Sequence, residues 1–154
     1  MPETKCGFDS IPGGASGQEL LVFYGPTILV DIGFDPNFNP AVVGPPPIPG
    51  MRGIQALVDT GATESCIDSL LATQLNLPIV DRRPIAGVGG QHTVNMHMSQ
   101  VVVPSLNFRL YGMFAGVDLA AGGQVHRALI GRTFLQNFTM VYEGRTGTVT
   151  ITSG

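Results

Sequence analysis

Glycine and proline recur along the whole chain and leave little room for regular helix. The 154 residues include 21 glycines and 12 prolines, which weaken or break helices through their backbone conformations. The apolar segments between them are rich in β-branched residues, which prefer strands. A mean hydropathy of +0.26 with only 12% charged residues is incompatible with a disordered chain. We therefore expect one mainly β domain.

Charge and apolar runs limit the partners that we expect for the chain. With 8 lysines and arginines and a net charge of −3, it has no basic stripe for phosphates, so nucleic acid is not an expected partner. No apolar run reaches the length of a membrane span. The first fifteen residues lack the basic and apolar regions of a signal peptide. Because Cys6 and Cys66 are expected to be reduced thiols, a cytoplasmic location is favoured.

Turn residues divide the chain into short segments. Residues 1–18 are interpreted as a flexible N-terminal segment before a domain spanning 19–154. Six prolines within 35–52 predict a stiff loop, with an SH3-type ligand as the alternative. Asp68 is expected to cap a helix over 69–75. The other predicted elements are strands over 20–24, 27–34, 53–58, 79–86, 93–104, 107–115, 125–130, 138–142 and 146–152, and a short helical turn over 132–138.

The segment that carries most chemical information is Asp59-Thr60-Gly61, which directly follows an apolar strand. A carboxylate at the end of a buried strand is costly unless it is hydrogen-bonded or paired with a charge. Gly61 permits a tight turn that directs its amide toward the carboxylate, and the hydroxyl of Thr60 can brace that turn. The alternative is an Asx-turn that merely ends the strand.

Two further motifs follow in order along the chain. The glycine-rich segment Gly87-Val88-Gly89-Gly90 lies between two predicted strands, and Ile130-Gly131-Arg132 ends an apolar stretch. Together with Asp59-Thr60-Gly61, these motifs resemble the ordered signature of the retropepsin family of retroviral-type aspartic proteases, and especially its single-domain cellular and bacterial relatives. The resemblance covers about residues 20–152. It implies an all-β acid-protease barrel with one or two short helices, active as a symmetric homodimer without metal or cofactor.

The resemblance also implies a role for each residue of the motifs. Asp59 matches the catalytic aspartate, Thr60 the residue that clamps two active-site loops, and Gly61 a backbone contact to substrate. The residues matched to substrate binding are Ala62, Thr63 and Glu64 and the flap over bound peptide, Gly87, Val88, Gly89 and Gly90. Those matched to structural support of the active site are Ile130, Gly131 and Arg132.

One position departs from the family pattern. Family members often place an acid shortly after the first motif, where it pairs with the arginine of the third. Here Thr63 is followed by Glu64. Two roles therefore remain open for Glu64, which either pairs with Arg132 or faces the substrate. A second departure is the proline-rich loop over 35–52, which is longer than the minimal viral enzymes need.

The implied reaction explains why a dimer is expected. Hydrolysis of a peptide bond by this chemistry uses two carboxylates that share a proton, one activating water and the other donating to the carbonyl oxygen. The chain has one Asp-Thr-Gly, and Asp118 lies in an unrelated context. A two-fold dimer supplies the second aspartate. Val149 and Ile151 give the last strand an apolar face, and such a strand at a sheet edge can pair with another chain. The resemblance implies that it pairs with the terminal strand of the partner subunit.

Other kinds of site are less well supported. The glycines at 87–90 do not form Gly-x-Gly-x-x-Gly, and a predicted strand follows them, so a dinucleotide site is not expected. His92 and His97 face opposite sides of one strand and His126 stands apart, so no metal site is expected. Cys66 is interpreted as a small buried hydrophobe near the groove rather than a nucleophile.

The resemblance implies an aspartic endopeptidase acting on polypeptides, with one Asp59 from each subunit of a homodimer. The alternative is a retropepsin-fold domain that dimerises or binds peptide without significant catalysis. The intact Asp59-Thr60-Gly61 favours the enzyme.

Overall fold

Strands are the main regular element of the computed structural model, which describes residues 2–87 and 90–153. Within that part of the chain there are ten strands and three short α-helices. The strands are β1 (Glu3–Lys5), β2 (Thr27–Gly33), β3 (Met51–Val58), β4 (Cys66–Asp68), β5 (Ile79–Gly87), β6 (Gly90–Val103), β7 (Phe108–Val117), β8 (Ala128–Ile130), β9 (Phe138–Glu143) and β10 (Thr148–Ser153). The helices are α1 (Gly17–Tyr24), α2 (Ser69–Gln74) and α3 (Arg132–Leu135), with a 3-10 turn at Pro104–Leu106.

The larger sheet closes into a barrel. Its strand order is β2-β3-β8-β4-β7-β6-β5, and β2 also pairs with β6, with Ile32 opposite Val101. Six strands therefore form a ring, and β5 extends from it as the outer arm of the β5–β6 hairpin. Inward-facing side chains such as Val30 and Ile130 are fully buried, because alternate residues of each strand point to the core. The predicted all-β barrel is confirmed.

The β5–β6 hairpin contains the glycine-rich motif. Pairing runs from Ile79 opposite His97 to Gly87 opposite Gly90. Gly90 has a φ of 101°, a conformation that glycine adopts without steric cost. Two residues assigned to the flap from the sequence, Val88 and Gly89, lie outside the described residues.

The prediction of a flexible segment over residues 1–18 is wrong. Strand β1 pairs with β10, and Cys6 is buried and donates its backbone N–H to Val149 O at 2.8 Å. Gly7 lies so close to the chain that an added Cβ would meet Gly147 O at 2.1 Å. This order comes from pairing with residues about 145 positions away, which no local pattern reveals.

The strand predicted over 20–24 is instead part of helix α1. Ser16 and Glu19 form a capping box in which Ser16 Oγ accepts from Glu19 N at 3.1 Å and Glu19 Oε1 accepts from Ser16 N at 3.4 Å. This reciprocal cap satisfies free amides of the first helical turn and outweighs the β propensity of the apolar residues that follow. Val22 and Phe23 on this helix are exposed, at 81% and 79%.

Strand β10 is not a sheet edge, which corrects the expectation that it pairs with a partner subunit. It lies between β1 and β9 in the three-stranded sheet, so both of its hydrogen-bonding sides are used within one chain. Val149 and Ile151 are fully buried in the core of the same chain. The predicted alternation of buried apolar residues is confirmed. The strand that pairs with β10, however, is β1 at the N-terminus of the same chain.

The remaining predicted elements agree with the structure to within a few residues. Asp68 caps α2 by accepting from Leu71 N at 3.3 Å. The proline-rich segment 35–50 forms no strand or helix. Its start is fixed by Gln100, whose side chain accepts from Asp35 N at 2.6 Å and donates to Asp35 O at 3.0 Å.

Candidate active site

Asp59 lies at the end of β3, where the barrel ladder holds its backbone. Val58 pairs with Ile130 of β8, and Asp59 N donates to Ile130 O at 2.9 Å. The half-buried carboxylate accepts from Gly61 N at 2.9 Å through Oδ1, as the sequence motif predicts. This bond stabilises the turn and fixes the direction of the carboxylate, while Thr60 and Gly61 remain exposed.

The glycine of the third motif lies directly under this loop. Gly131 N donates to Ser65 Oγ at 3.1 Å, and Arg132 N donates to Ala62 O at 2.9 Å. A Cβ added to Gly131 would lie 2.7 Å from Glu64 O and 2.9 Å from Ala62 O. Only glycine therefore allows the start of α3 to approach the loop this closely.

Arg132 braces the loop through its side chain as well. Its Nη1 donates to Thr60 O at 2.7 Å and its Nη2 donates to Thr63 Oγ1 at 2.9 Å. The Thr63 hydroxyl therefore takes the place of the acid that the family pattern provides. Glu64 is exposed, and the contact made by the guanidinium is with Thr63 rather than with Glu64.

The outer face of the barrel continues from Asp59 along three strands. Leu57 on β3 is opposite Thr27 on β2 and Leu129 on β8. Ala56 and Val58, which alternate with these residues, face the core. Because side chains alternate along a strand, Leu57 shares the outer face with Gln55 and with Asp59. This arrangement forms a partly apolar surface beside the carboxylate.

Cys66 lies at the start of β4 near the same loop. Burial, together with the negative charges of Asp59 and Glu64, raises the pKa of its thiol to about 11. The thiol is therefore protonated at neutral pH and a poor nucleophile. Cys6 and Cys66 are both free, as expected.

Two supporting residues were not recognised from the sequence as parts of this region. Ser65, 3% exposed, accepts from the Gly131 amide. Asp68, 1% exposed, was expected only as a helix cap but also accepts from Leu119 N and Ala120 N, each at 3.1 Å, and from Arg127 Nη2 at 3.4 Å. Burial opposes its charge, yet these hydrogen bonds prevail and lower the pKa of Asp68. The available signal in the sequence is an acid that directly follows the apolar Ile67.

The histidines are dispersed. His97 Nδ1 lies 3.1 Å from Leu77 O, and His126 Nε2 lies 2.7 Å from Thr27 Oγ1. Among residues 2–87 and 90–153, no three His, Cys, Asp or Glu side chains are grouped as ligands for a metal ion. In the same part of the chain, no helix has the length and apolar content to cross a membrane.

Comparison with known protein families identifies the family of this chain. The profile of the family described as retroviral aspartyl protease matches residues 26–141. The chain belongs to this retropepsin-like family, and the barrel is its fold. No curated protein matches the sequence. Eight chains of solved structures match, including EIAV protease complexed with the inhibitor HBY-793, at 18% identity and a TM-score of 0.45, covering 72% of this chain and 85% of that one.

Proposed function

We propose that this protein is an aspartic endopeptidase whose active form is a homodimer with one Asp59 from each subunit. The observation that carries the proposal is the Asp59 carboxylate, oriented by the Gly61 amide at 2.9 Å on a loop that Arg132 braces. An oriented, half-buried carboxylate next to an exposed glycine backbone is suited to contact a substrate. One such group per chain requires a second copy for acid and base to act together.

The reaction divides two tasks between the two Asp59 side chains. The ionised carboxylate removes a proton from water as the oxygen attacks the scissile carbonyl carbon, and the protonated one donates its proton to the carbonyl oxygen. The tetrahedral intermediate then collapses and the C–N bond breaks. The amide nitrogen takes up the proton held by the aspartate that had activated the water, and a hydroxyl of the intermediate returns its proton to the other aspartate, which restores the pair. Two acids in contact do not both ionise readily, which keeps one proton between them.

Substrate would lie extended between this pair and the β5–β6 hairpin. The exposed backbone at Gly61 and the residues Ala62, Thr63 and Glu64 would contact it from below, and the tip at 87–90 would cover it. Extended peptide can pair with exposed backbone as an added strand. Thr60, exposed at the same loop, would meet its counterpart across the two-fold axis.

Replacement of Asp59 tests the proposal. We expect Asp59→Asn to abolish cleavage of an unfolded protein between pH 3 and 7 while circular dichroism and sedimentation stay unchanged. Asp9→Asn, at an exposed acid of the N-terminal segment, is the matched control. Cleavage retained by Asp59→Asn would exclude Asp59 as the catalytic acid. A wild-type protein that binds peptide without cleaving it would instead be a binding domain.

A mixing experiment tests the shared site. When wild-type and Asp59→Asn chains are mixed equally and exchanged, about a quarter of the dimers hold two aspartates. Activity per wild-type chain should therefore fall by about half if both aspartates are needed. Unchanged activity per wild-type chain would show that each subunit works alone.

A further inference from the structure

A cavity of about 380 Å³ opens on the outer face of the barrel. Its lining residues are Phe8, Tyr24, Thr27, Gln55, Val125 and His126. None of these is a lysine, arginine, aspartate or glutamate. The rim residue Val125 is 54% exposed, so the cavity is accessible from solvent.

The cavity lies along the strand face that carries Asp59. Thr27 is opposite Leu57, and Leu29 is opposite Gln55. Gln55 and Leu57 are four and two residues before Asp59 and share its face. At about 3.3 Å per residue, the lining residues Thr27 (level with Leu57) and Gln55 are therefore about 7 Å and 13 Å from Asp59 along the strand direction, the length of two to four residues of extended peptide.

Two polar residues of the cavity wall, Thr27 and His126, are already hydrogen-bonded to each other. Thr27 Oγ1 donates to Gly25 O at 3.1 Å and lies 2.7 Å from His126 Nε2. Gln124 Nε2 lies 2.7 Å from His126 Nδ1. These contacts fit a neutral imidazole that donates from Nε2 and accepts at Nδ1. Burial lowers the pKa of His126, which also favours the neutral ring.

The apolar part of the wall is aromatic. The rings of Phe8 and Tyr24 lie 5.8 Å apart with an interplanar angle of 36°, and the exposed Gln55 side chain stands beside them. A charged group would lose hydration here, and the lining offers no lysine, arginine, aspartate or glutamate of opposite charge to pair with it. An uncharged aromatic side chain would gain ring contacts and apolar burial. Phe8 and Tyr24 lie outside the family match at 26–141, so the aromatic part of the wall comes from the N-terminal segment of this chain.

We propose that this cavity is a subsite for an uncharged aromatic side chain of the substrate, two to four residues from the cleaved bond. The proposal rests on the proposed peptidase function. Because a symmetric dimer holds the cavity twice, the preference applies on both sides of the cleaved bond.

Filling the cavity from its rim tests the subsite. The variant is Val125→Phe, and Val141→Phe is the matched control because Val141 is 52% exposed on β9, away from the cavity lining. We compare pairs of peptides that are identical except for one position, which is Phe in one peptide and Ala in the other. The position is varied over the four residues on either side of the cleaved bond. We expect wild type and Val141→Phe to favour Phe by about tenfold in kcat/KM at one or more of the second to fourth positions. Val125→Phe should lose that preference for Phe over Ala, because its ring fills the space that the substrate side chain would occupy.

Binding measured in the Asp59→Asn background separates the subsite from catalysis. The Phe peptide should bind about tenfold more tightly than the Ala peptide and shift the NMR signals of the Val125 methyl groups through its ring current. If wild type cleaves no peptide, the peptidase proposal fails and this binding comparison alone decides the subsite. Equal binding of the Phe and Ala peptides, or an aromatic preference that survives Val125→Phe, would overturn the subsite.

Discussion

Arg132 Nη1 donates to the carbonyl oxygen of Thr60 at 2.7 Å, so the third sequence motif holds the backbone of the first. The two residues are 72 positions apart. The same guanidinium reaches Thr63 Oγ1 at 2.9 Å. A planar group with several donors in fixed geometry can hold two acceptors of one loop at once, which a lysine cannot do as well. The position of Asp59 therefore depends on a side chain from a distant part of the chain.

Removal of that guanidinium should disturb the loop more than the fold. For Arg132→Met we expect the free energy of unfolding to fall by about 1–2 kcal/mol and the melting temperature by a few degrees, with peptidase activity falling more than tenfold. Arg145→Met is the control, because Arg145 is an exposed arginine in the β9–β10 turn. Equal, small effects of both substitutions would show that the Arg132 contacts do not position Asp59.

The close packing under the Asp59 loop predicts that alanine is tolerated at Gly144 but not at Gly131. Gly131→Ala places a Cβ 2.7 Å from Glu64 O, so the loop or α3 must move. We expect a loss of about 1–3 kcal/mol in stability, from overpacking, and loss of most activity. Gly144→Ala is the control, because its Cβ would meet only Tyr142 Cε1 at 3.5 Å, an ordinary contact. Urea unfolding and peptide cleavage measure both effects, and a fully active Gly131→Ala would contradict the close approach.

Asp68 should contribute a pH-dependent part of the stability. Its pKa is lower in the folded protein than the ordinary 3.8, so folding favours the charged form. That contribution is fully present above pH 3.8 and is lost as the pH falls through the lower folded-state pKa. The free energy of unfolding, measured with urea between pH 5 and 2, should fall as the pH falls, and Asp68→Asn should reduce this slope.

Asp81, a second carboxyl group whose pKa is lowered, serves as the control for Asp68. The Arg83 side chain and the Arg82 amide lower the pKa of Asp81, but Asp81 is exposed and solvent screens its interactions. Asp81→Asn should leave most of the slope in place. If it removed more of the slope than Asp68→Asn, the buried carboxylate would not be the main source.

The lowered pKa of His126 predicts that stability also depends on pH closer to neutrality. Burial lowers its pKa from 6.5, so the unfolded chain binds this proton more readily than the folded one. The contribution of His126 to the free energy of unfolding is therefore fully present above pH 6.5 and decreases as the pH falls toward the folded-state pKa. Melting curves from pH 7.5 to 5 should show this decrease. His126→Gln should remove it, whereas His92→Gln, at an exposed histidine, should not.

The sequence was sufficient where a local pattern carries the information. Apolar alternation and turn residues located most of the strands, and Asp68 was placed correctly as the cap of α2. Helix α1 was missed although its signal was present, since Ser16 and Glu19 have the spacing of a capping box. The apolar, β-prone residues that follow mask this helix signal.

By itself, the sequence determined the chemistry of the motifs and their order, because these depend on residue type and spacing. Only the tertiary structure decided which distant residues meet. Thr63 rather than Glu64 contacts Arg132, and Glu3–Lys5 covers the strand that was expected at an edge. The lining of the aromatic cavity likewise comes from separate parts of the chain. Each of these contacts joins segments that are far apart in the sequence and meet only when the barrel closes. Local propensities depend on neighbouring residues and therefore do not predict such contacts.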